Sequence, residues 1–295
     1  MTTASSKVAS QLDAAPPQNG FSLISNDKLL ELYSTMLKCR MLQARIRTLS
    51  NGPAASHSAV RPEAAIAGAT VDLLSGDTLA PSPHGLVPAF VKGLRLGNIF
   101  SMVAPGGVKP RPPYARLNLI PPSLRLAAQL ERAIEVATAN KKARNKRIVV
   151  AFCGNSTASP EPLHHAMRQA GKRDLPILLV CNSDSESEEV CRKAQECDFP
   201  GVIVDGDDAV AVYRVATEAM AHARRGSGPT LIDCKPWVLP GQEPAKSRAT
   251  HDPLLRMEQY LTRKGLFDKK FKSKVTASFR RELESAINAN GPRPL

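Results

Sequence analysis

The 295-residue chain predicts an α/β fold, a parallel sheet flanked by helices, and three observations lead there. First, "RIVVAF" (147–152), "LPILLVC" (175–181), "GVIVD" (201–205) and "PTLIDC" (229–234) are short apolar runs without polar alternation, the pattern of strands buried on both faces. Second, helical segments at 160–171, 186–196 and 207–225 separate these runs, so strand and helix alternate. Third, the last helix is well marked. Asp207 is placed to cap it, Val212, Val215, Ala216 and Ala219 form its apolar stripe, and Gly226 stops it.

The other elements follow in chain order. "MTTASSKVASQLDAAPPQNG" has no apolar core of a secretory signal and reads as a disordered tail over 1–24. Ser25 or Asn26 can cap a helix through "KLLELYSTMLKCRMLQARIRTL", where Leu29, Tyr33, Met36, Leu37 and Met41 fall near helical spacing. A Gly-Pro-Ser-rich break over 51–60 ends it. "RPEAAIAGATVDLL" (61–74) is small-residue-rich and helical, with Pro62 suited to its first turn. "GDTLAPSPHG" (76–85) reads as a loop, and "LVPAFVKGLRLGNIFSM" (86–102) as one or two short helices. Pro and Gly exclude regular structure from "VAPGGVKPRPPYAR" (103–116). Ser123 is placed to cap a helix carrying Leu126, Leu130, Ile134 and Ala137 on one face. Past the linker "WVLPGQEPAKSRAT", "DPLLRMEQYLTRKGL" and "DKKFKSKVTASFRRELESAINA" form a helical extension, with their charges on the exposed side. The expected division is therefore a tail over 1–24, an α/β domain over 25–250 and a C-terminal helical extension over 251–295.

Charge and composition exclude several classes. The net charge of +13 raises nucleic-acid binding, but the cations are spread along the chain and aromatics make up 4%, poor material for base stacking. A basic surface that meets an acidic partner subunit is the better reading. No run approaches about 20 apolar residues, so no membrane-spanning helix is expected and the chain reads as cytoplasmic. None of the six cysteines forms a C-x-x-C pair, and buried reduced thiols are expected rather than zinc ligands or disulfides.

The turn after the first long strand, Cys153-Gly154-Asn155-Ser156-Thr157-Ala158, admits three readings. As a near match to G-x-S-x-G it could present Ser156 as a nucleophile, with Asp205 and His251 following; the second glycine is missing and the helix signal comes late. As a phosphate and metal turn it would act with the next strand's polar end, Cys181-Asn182-Ser183-Asp184, since adjacent parallel strands bring both turns together and magnesium takes such oxygens. As a pair of polar loops it would bind nothing. Spacing alone favours the last.

A resemblance shifts that balance. From about 28 to 290 the chain resembles the alpha subunit of thiamine-diphosphate-dependent 2-oxo acid dehydrogenases, the E1 component of the pyruvate dehydrogenase type. "LLELYSTMLKCRMLQARI" looks like the family's opening helix, "RPEAAIAGA" keeps Glu63 and Ala64 of its Gly-Gln-Glu-Ala helix, and "HGLVPAFVKGL" follows as its His-Gly segment. "VDGDDAVAVYRVATEAMAHARRGSGPTLIDC" (204–234) is the most specific match, and "HDPLLRMEQYLTRKGL" resembles the Asp-Pro helix opening the family's C-terminal part. The resemblance implies a thiamine-diphosphate-binding fold in which Gly154, Asn155, Ser156 and Asp184 face the cofactor. Magnesium would then be held by Asn155, Asp184 and the backbone carbonyl of Glu186, the carboxylate and amide of the family's Asp and Asn having changed places.

Other family positions are altered. Ser82, between Pro81 and Pro83, stands where a Tyr-Arg pair grips the diphosphate, which removes a bidentate contact. "PWVLPGQEP" (236–244) holds no histidine where the family has His-x-His, leaving His84 as the one imidazole at a family position. The glycine-rich stretch ahead of the diphosphate turn is curtailed to "APGGVKPRPP". The resemblance implies a beta-type partner in a heterotetramer, with a homodimer as the other assembly, and a place in a larger complex with an acyltransferase. The inherited reaction is oxidative decarboxylation of a 2-oxo acid such as pyruvate. The altered positions favour a degenerate subunit kept for assembly or regulation, over an active one using the exchanged pair and over a hydrolase built on Ser156.

Overall fold

The structure, a computed structural model, describes residues 24–49, 61–82, 85–104, 113–123, 125–154, 160–183, 189–235 and 252–290. Five parallel strands form one sheet in the order β1-β2-β3-β5-β4, from β1 (Thr78–Ala80), β2 (Val149–Gly154), β3 (Ile177–Asn182), β4 (Gly201–Asp205) and β5 (Thr230–Lys235). The α/β expectation holds. The apolar runs become strands because helices cover both faces. Alternate residues of one strand therefore enter two different cores: Val149, Ala151 and Cys153 on one side, Val150 and Phe152 on the other.

The first face is covered by α6 (Leu126–Lys142), α7 (Pro160–Gly171) and α8 (Glu189–Gln195), through Leu130, Ile134, Leu163, Met167 and Cys191. The second is covered by α1 (Asn26–Leu49), α2 (Glu63–Thr70), α3 (Val87–Val91), α4 (Leu96–Val103) and α9 (Ala209–Arg224). The small residues of α2 serve close approach: a Cβ on Gly68 would meet Val212 Cγ1 of α9 at 2.7 Å, so only glycine admits that packing. Beyond the linker, α10 (Pro253–Arg263) adds Leu254, Met257 and Leu261 to a core with Leu29, Tyr33 and Met36 of α1. The longer α11 (Lys269–Asn290) inserts Phe279 and Leu283 against the second face. Lys269, Lys270, Lys274, Arg280 and Arg281 stay exposed, as the charge run implied.

Several local expectations are corrected. The loop expected over 76–85 contains β1, which pairs with β2 and bridges Leu119; a three-residue strand gets its hydrogen bonds from tertiary partners, which its Gly and Pro flanks conceal. One helical turn, α5 (Tyr114–Leu117), forms within the supposedly irregular 103–116 and closes on left-handed Asn118. The helix expected over 61–74 ends at Thr70. Ser123 does not cap α6: the N-cap position is Arg125, without a side-chain cap, and Ser123 Oγ accepts from Arg125 N–H at 3.3 Å in the preceding turn. Asp208 rather than Asp207 caps α9, accepting from Val210 and Ala211 N–H at 3.0 Å each. The edge strand β4 is not buried on both faces, since Val202 and Ile203 are 37% and 41% exposed. All six cysteines are buried free thiols, as expected. Of the tail expected over 1–24, residues 1–23 lie outside the described residues, while Ile24 is buried in the core with Leu29 and Tyr33.

Candidate functional site

In an open parallel sheet, ligand chemistry gathers beyond the carboxyl ends of the strands, where loops and helix N-termini converge. Here the register places Gly154 of β2 beside Cys181 of β3, Cys181 beside Asp233 of β5, and Asp205 of β4 beside Lys235. Gly154 has φ of +68°, and the ladder slips between Phe152 and Gly154. A side chain there would cost about 1–2 kcal/mol in the left-handed region, so glycine lets the chain leave the strand in a sharp turn. Among the described residues, the nearest group across it is Ser82, beyond β1, whose Cβ would lie 3.8 Å from a Cβ built on Gly154.

Of the residues nominated from sequence, Gly154 and Ser82 stand at these tips. Asn155, Ser156, Asp184, Glu186 and His84 lie outside the described residues, as does His251. Their described neighbours are Gly154, the last residue of β2, and Ser183, the first residue after the adjacent β3. Asp205, the acid nominated for a hydrolase, is at the tip of the edge strand, separated from β2 by β3 and β5. Its carboxylate is engaged by Arg256 of α10, at 2.5 Å. Among the described histidines, His164 and His165 are on α7 and His222 is in the last turn of α9; His165 is exposed and within 2.5 Å of Gln169.

A group that the sequence reading passed over sits on the strand tips. Asp233, wholly buried, accepts a hydrogen bond from Ser183 Oγ at 2.7 Å through Oδ1. Its Oδ2 meets no hydrogen-bond donor among the described residues, and the Lys235 ammonium is 3.9 Å away. Burial pushes the Asp233 carboxyl upward, against the opposing effects of Ser183 and Lys235. Beside it, the Cys181 thiol is held well above the ordinary range by its hydrogen bond with Cys153 and by burial. The available signal was an acid inside an apolar strand, Asp233 within "TLIDC": an ionisable side chain rarely enters a sheet core without a polar purpose.

A cavity of about 510 Å³ opens at the β4 end, where Asp205, Asp207, Asp208 and Asp252 face Arg256 and Arg263. Its polar groups largely bind elements together: Arg256 joins Asp205 to Asp208, and Asp252 caps α10 while pairing with Arg40 and Arg61. Among the described residues, no group of three or more His, Cys, Asp or Glu is placed to hold a metal ion. No described helix is long and apolar enough to cross a membrane.

Comparison with known proteins agrees with this arrangement. The family model described as "Dehydrogenase E1 component" matches residues 33–238. The pyruvate dehydrogenase E1 component subunit alpha of Bacillus subtilis (strain 168) is 26% identical over 297 residues, covering 92% of this chain and 80% of its own length. The 3-methyl-2-oxobutanoate dehydrogenase subunit alpha of Mycobacterium tuberculosis (strain ATCC 25618 / H37Rv) is 28% identical over 295 residues, covering 90% and 79%. Among solved structures, a transketolase from Campylobacter jejuni superposes with a TM-score of 0.55 at 16% identity. That match takes in 90% of this chain and 48% of the transketolase, so the chain spans about half of that protein and the likeness is one of fold.

Proposed function

Since the chain belongs to the dehydrogenase E1 component family, we propose that it is an alpha-type subunit of a cytoplasmic 2-oxo acid dehydrogenase. In this reading it assembles with a beta-type partner into a heterotetramer, and its role in assembly or regulation has outlived efficient decarboxylation. The observation that carries the reading is the make-up of the strand tips. Ser82, Gly154, Asn182 and Ser183 supply turn geometry and neutral donors, while the described tips of β1, β2 and β3 carry neither guanidinium nor imidazole. "PWVLPGQEP" (236–244) contains no histidine in its sequence. Without a positioned imidazole, proton transfer at the reacting centre loses a contribution of about 10²–10⁴-fold.

Family membership implies thiamine diphosphate, and the described residues suit its diphosphate end. The left-handed Gly154 offers a close backbone approach, with Ser82 the nearest described group across it. Two adjacent strand ends converge there, and the oxygen-rich donor set of Asn155, Asp184 and the Glu186 carbonyl matches what magnesium prefers. These residues, with Gly154 and Ser156, would hold the group. When bound, thiamine diphosphate supplies the electron sink for cleaving a 2-oxo acid, and the protein supplies orientation and desolvation. A second reading, an active subunit using the exchanged Asn155 and Asp184 pair, is favoured by the retained glycine turn.

Co-expression with a beta-type E1 subunit tests both. The expected outcome is a stable complex by size-exclusion chromatography with light scattering, whose decarboxylation of pyruvate or a branched-chain 2-oxo acid is about 10²-fold or more below that of a complete pair. Full activity would overturn the degenerate reading in favour of the active one. Failure to form a complex would remove the assembly role.

A further inference from the structure

We propose that the outer stripe of α11 is a docking surface for an acidic, extended segment of a partner polypeptide. The inference does not depend on what the strand tips hold. The stretch "KKFKSKVTASFRR" (269–281) carries cations and no acid. As a helix it has two sides. Phe271, Val275, Phe279 and Leu283 recur every four residues and turn into the cores. Lys270, Lys274, Ala277 and Arg281, at spacings of four, three and four, lie on the opposite side and are exposed, with Lys269 and Arg280 exposed beside them. The fold uses Lys272, which pairs with Glu258 at 2.7 Å. Among the described residues, Lys269, Lys270, Lys274 and Arg280 enter no salt bridge, and Arg281 reaches only its own helix, Nε to the Ala277 carbonyl at 3.4 Å.

Two local rules of helix stability are broken on this stripe. Lys269 and Lys270 occupy the first turn, at the positive end of the helix dipole, where cations are unfavourable. That turn holds no acid, and Asp268 ahead of it is engaged as a cap, its Oδ1 accepting from Lys270 N–H at 2.8 Å. Lys270 and Lys274 are also like charges one turn apart, which repel. The apolar side holds the helix in place whatever its outer side carries, so these cations oppose the fold and suit an external anion that relieves their repulsion. The dimensions fit an extended chain. From Lys270 to Arg281 the stripe runs about 16 Å, the length of about five extended residues. Lys270 and Lys274 are about 6 Å apart along the axis, close to the spacing of alternate side chains in an extended segment. Carboxylates on alternate residues of that segment would meet them in turn. The phenylalanines of α11 face inward, so the stripe offers no platform for stacked bases and no apolar side to enter a bilayer. Its lysines are compact point charges, which take carboxylates without imposing the geometry of a planar fork.

The alternative is a merely solvated helix face, and two triple variants of the full chain separate the two. The probe is fluorescein-labelled octaglutamate, followed by anisotropy at about 0.1 M salt, where charges beyond about 10 Å are screened. Lys270→Gln with Lys274→Gln and Arg281→Gln is expected to bind the probe about 10-fold more weakly, each exposed ion pair contributing a small factor. Lys142→Gln with Lys146→Gln and Lys172→Gln removes the same charge from exposed positions at the amino edge of the sheet. That control should bind within about 2-fold of the parent. The thermal midpoint of the stripe variant should match or exceed the parent's, because the substitutions relieve repulsion. A clear fall in midpoint would make the cations part of the fold and overturn the proposal. Equal weakening in both triples would reduce the stripe to net charge and overturn it too, as would a parent chain that does not bind the probe. A short DNA duplex and phosphatidylserine vesicles complete the comparison. If the stripe variant lost either of these while keeping octaglutamate, the surface would belong to a nucleic acid or a membrane and not to a polypeptide.

Discussion

Asp77 and Asp233 are both buried carboxylates at ends of the same sheet, and their surroundings are opposite. Asp77, just ahead of β1 at the amino edge, has both oxygens saturated. Its Oδ1 takes Ile148 N–H at 3.2 Å and Arg224 Nη1 at 2.8 Å, and its Oδ2 takes Leu74 N–H at 2.8 Å and Arg224 Nη2 at 2.5 Å. Asp233, at the carboxyl edge, has one hydrogen bond and a distant lysine among the described residues. Most buried polar groups are hydrogen-bonded, so a buried carboxylate oxygen without a donor at a binding edge is polar capacity that packing alone does not explain. The comparison separates the amino edge, which holds the fold together, from the carboxyl edge, which remains chemically open.

The largest test of this difference is Arg224→Met. It leaves Asp77 buried without its bidentate partner and should cost about 3–5 kcal/mol of unfolding free energy, read from denaturant midpoints. A loss under about 1 kcal/mol would mean that Asp77 is not held as its geometry indicates. Next in size comes Asp252, which caps α10 through Leu254 and Leu255 N–H and meets Arg40 and Arg61. Asp252→Ala should cost about 2 kcal/mol, most of it a lost cap with arginine partners. Burial alone would raise this carboxyl, but the hydrogen bond and charge of Arg40, with Leu255 N–H and Arg61, hold it below the ordinary range. A depressed carboxyl means that the unfolded chain binds more protons. Its contribution is therefore complete above the ordinary aspartate value, about 3.9, and declines as pH falls through the folded one. The stability gap between parent and Asp252→Ala should narrow in acid, and a gap independent of pH would point to the cap alone.

How much of this could be read in the chain varies with the physics involved. The strands β2, β3 and β5, the helices between them and the Gly226 stop are legible because burial on both faces writes itself as uninterrupted apolar runs, with helix punctuation on either side. The edge strand β4 is read from the same kind of run although Val202 and Ile203 are exposed. By contrast β1 is illegible, since three residues between Pro and Gly carry no period and are strand only by virtue of β2 and Leu119. Asp207 and Asp208 are adjacent acids, either of which could cap, and the start of the helix at Ala209 puts Asp208 at the N-cap position. At the site, Gly154 was legible as a turn, yet the Ser183, Asp233 and Lys235 group was not. Ser183 and Asp233 lie 50 residues apart in sequence and meet only through the pairing of β3 with β5.

Smaller effects bear on the open edge itself. Gly154→Ala should cost about 1 kcal/mol for its left-handed backbone, with no steric conflict among the described residues, the nearest of which would be at 3.8 Å. Its stability loss should be modest beside a clear loss of pyrophosphate uptake; equal losses in both would make the glycine a folding feature only. The smallest expected effect, and the sharpest contrast with Asp77, is that of Asp233→Asn. Burial raises this carboxyl more than Ser183 and Lys235 lower it, so the folded chain prefers the protonated form. That preference stabilises the fold most below the ordinary carboxylate range and is lost as pH rises through the folded value. An amide accepts from Ser183 as the acid does and brings no charge to lose. Asp233→Asn should therefore lie within about 1 kcal/mol of the parent at neutrality, with the balance moving in its favour from acid to neutral pH. A loss of about 3 kcal/mol, as at Arg224, would place Asp233 with Asp77 among the structural carboxylates, and the carboxyl edge would have no more open polar capacity than the amino edge.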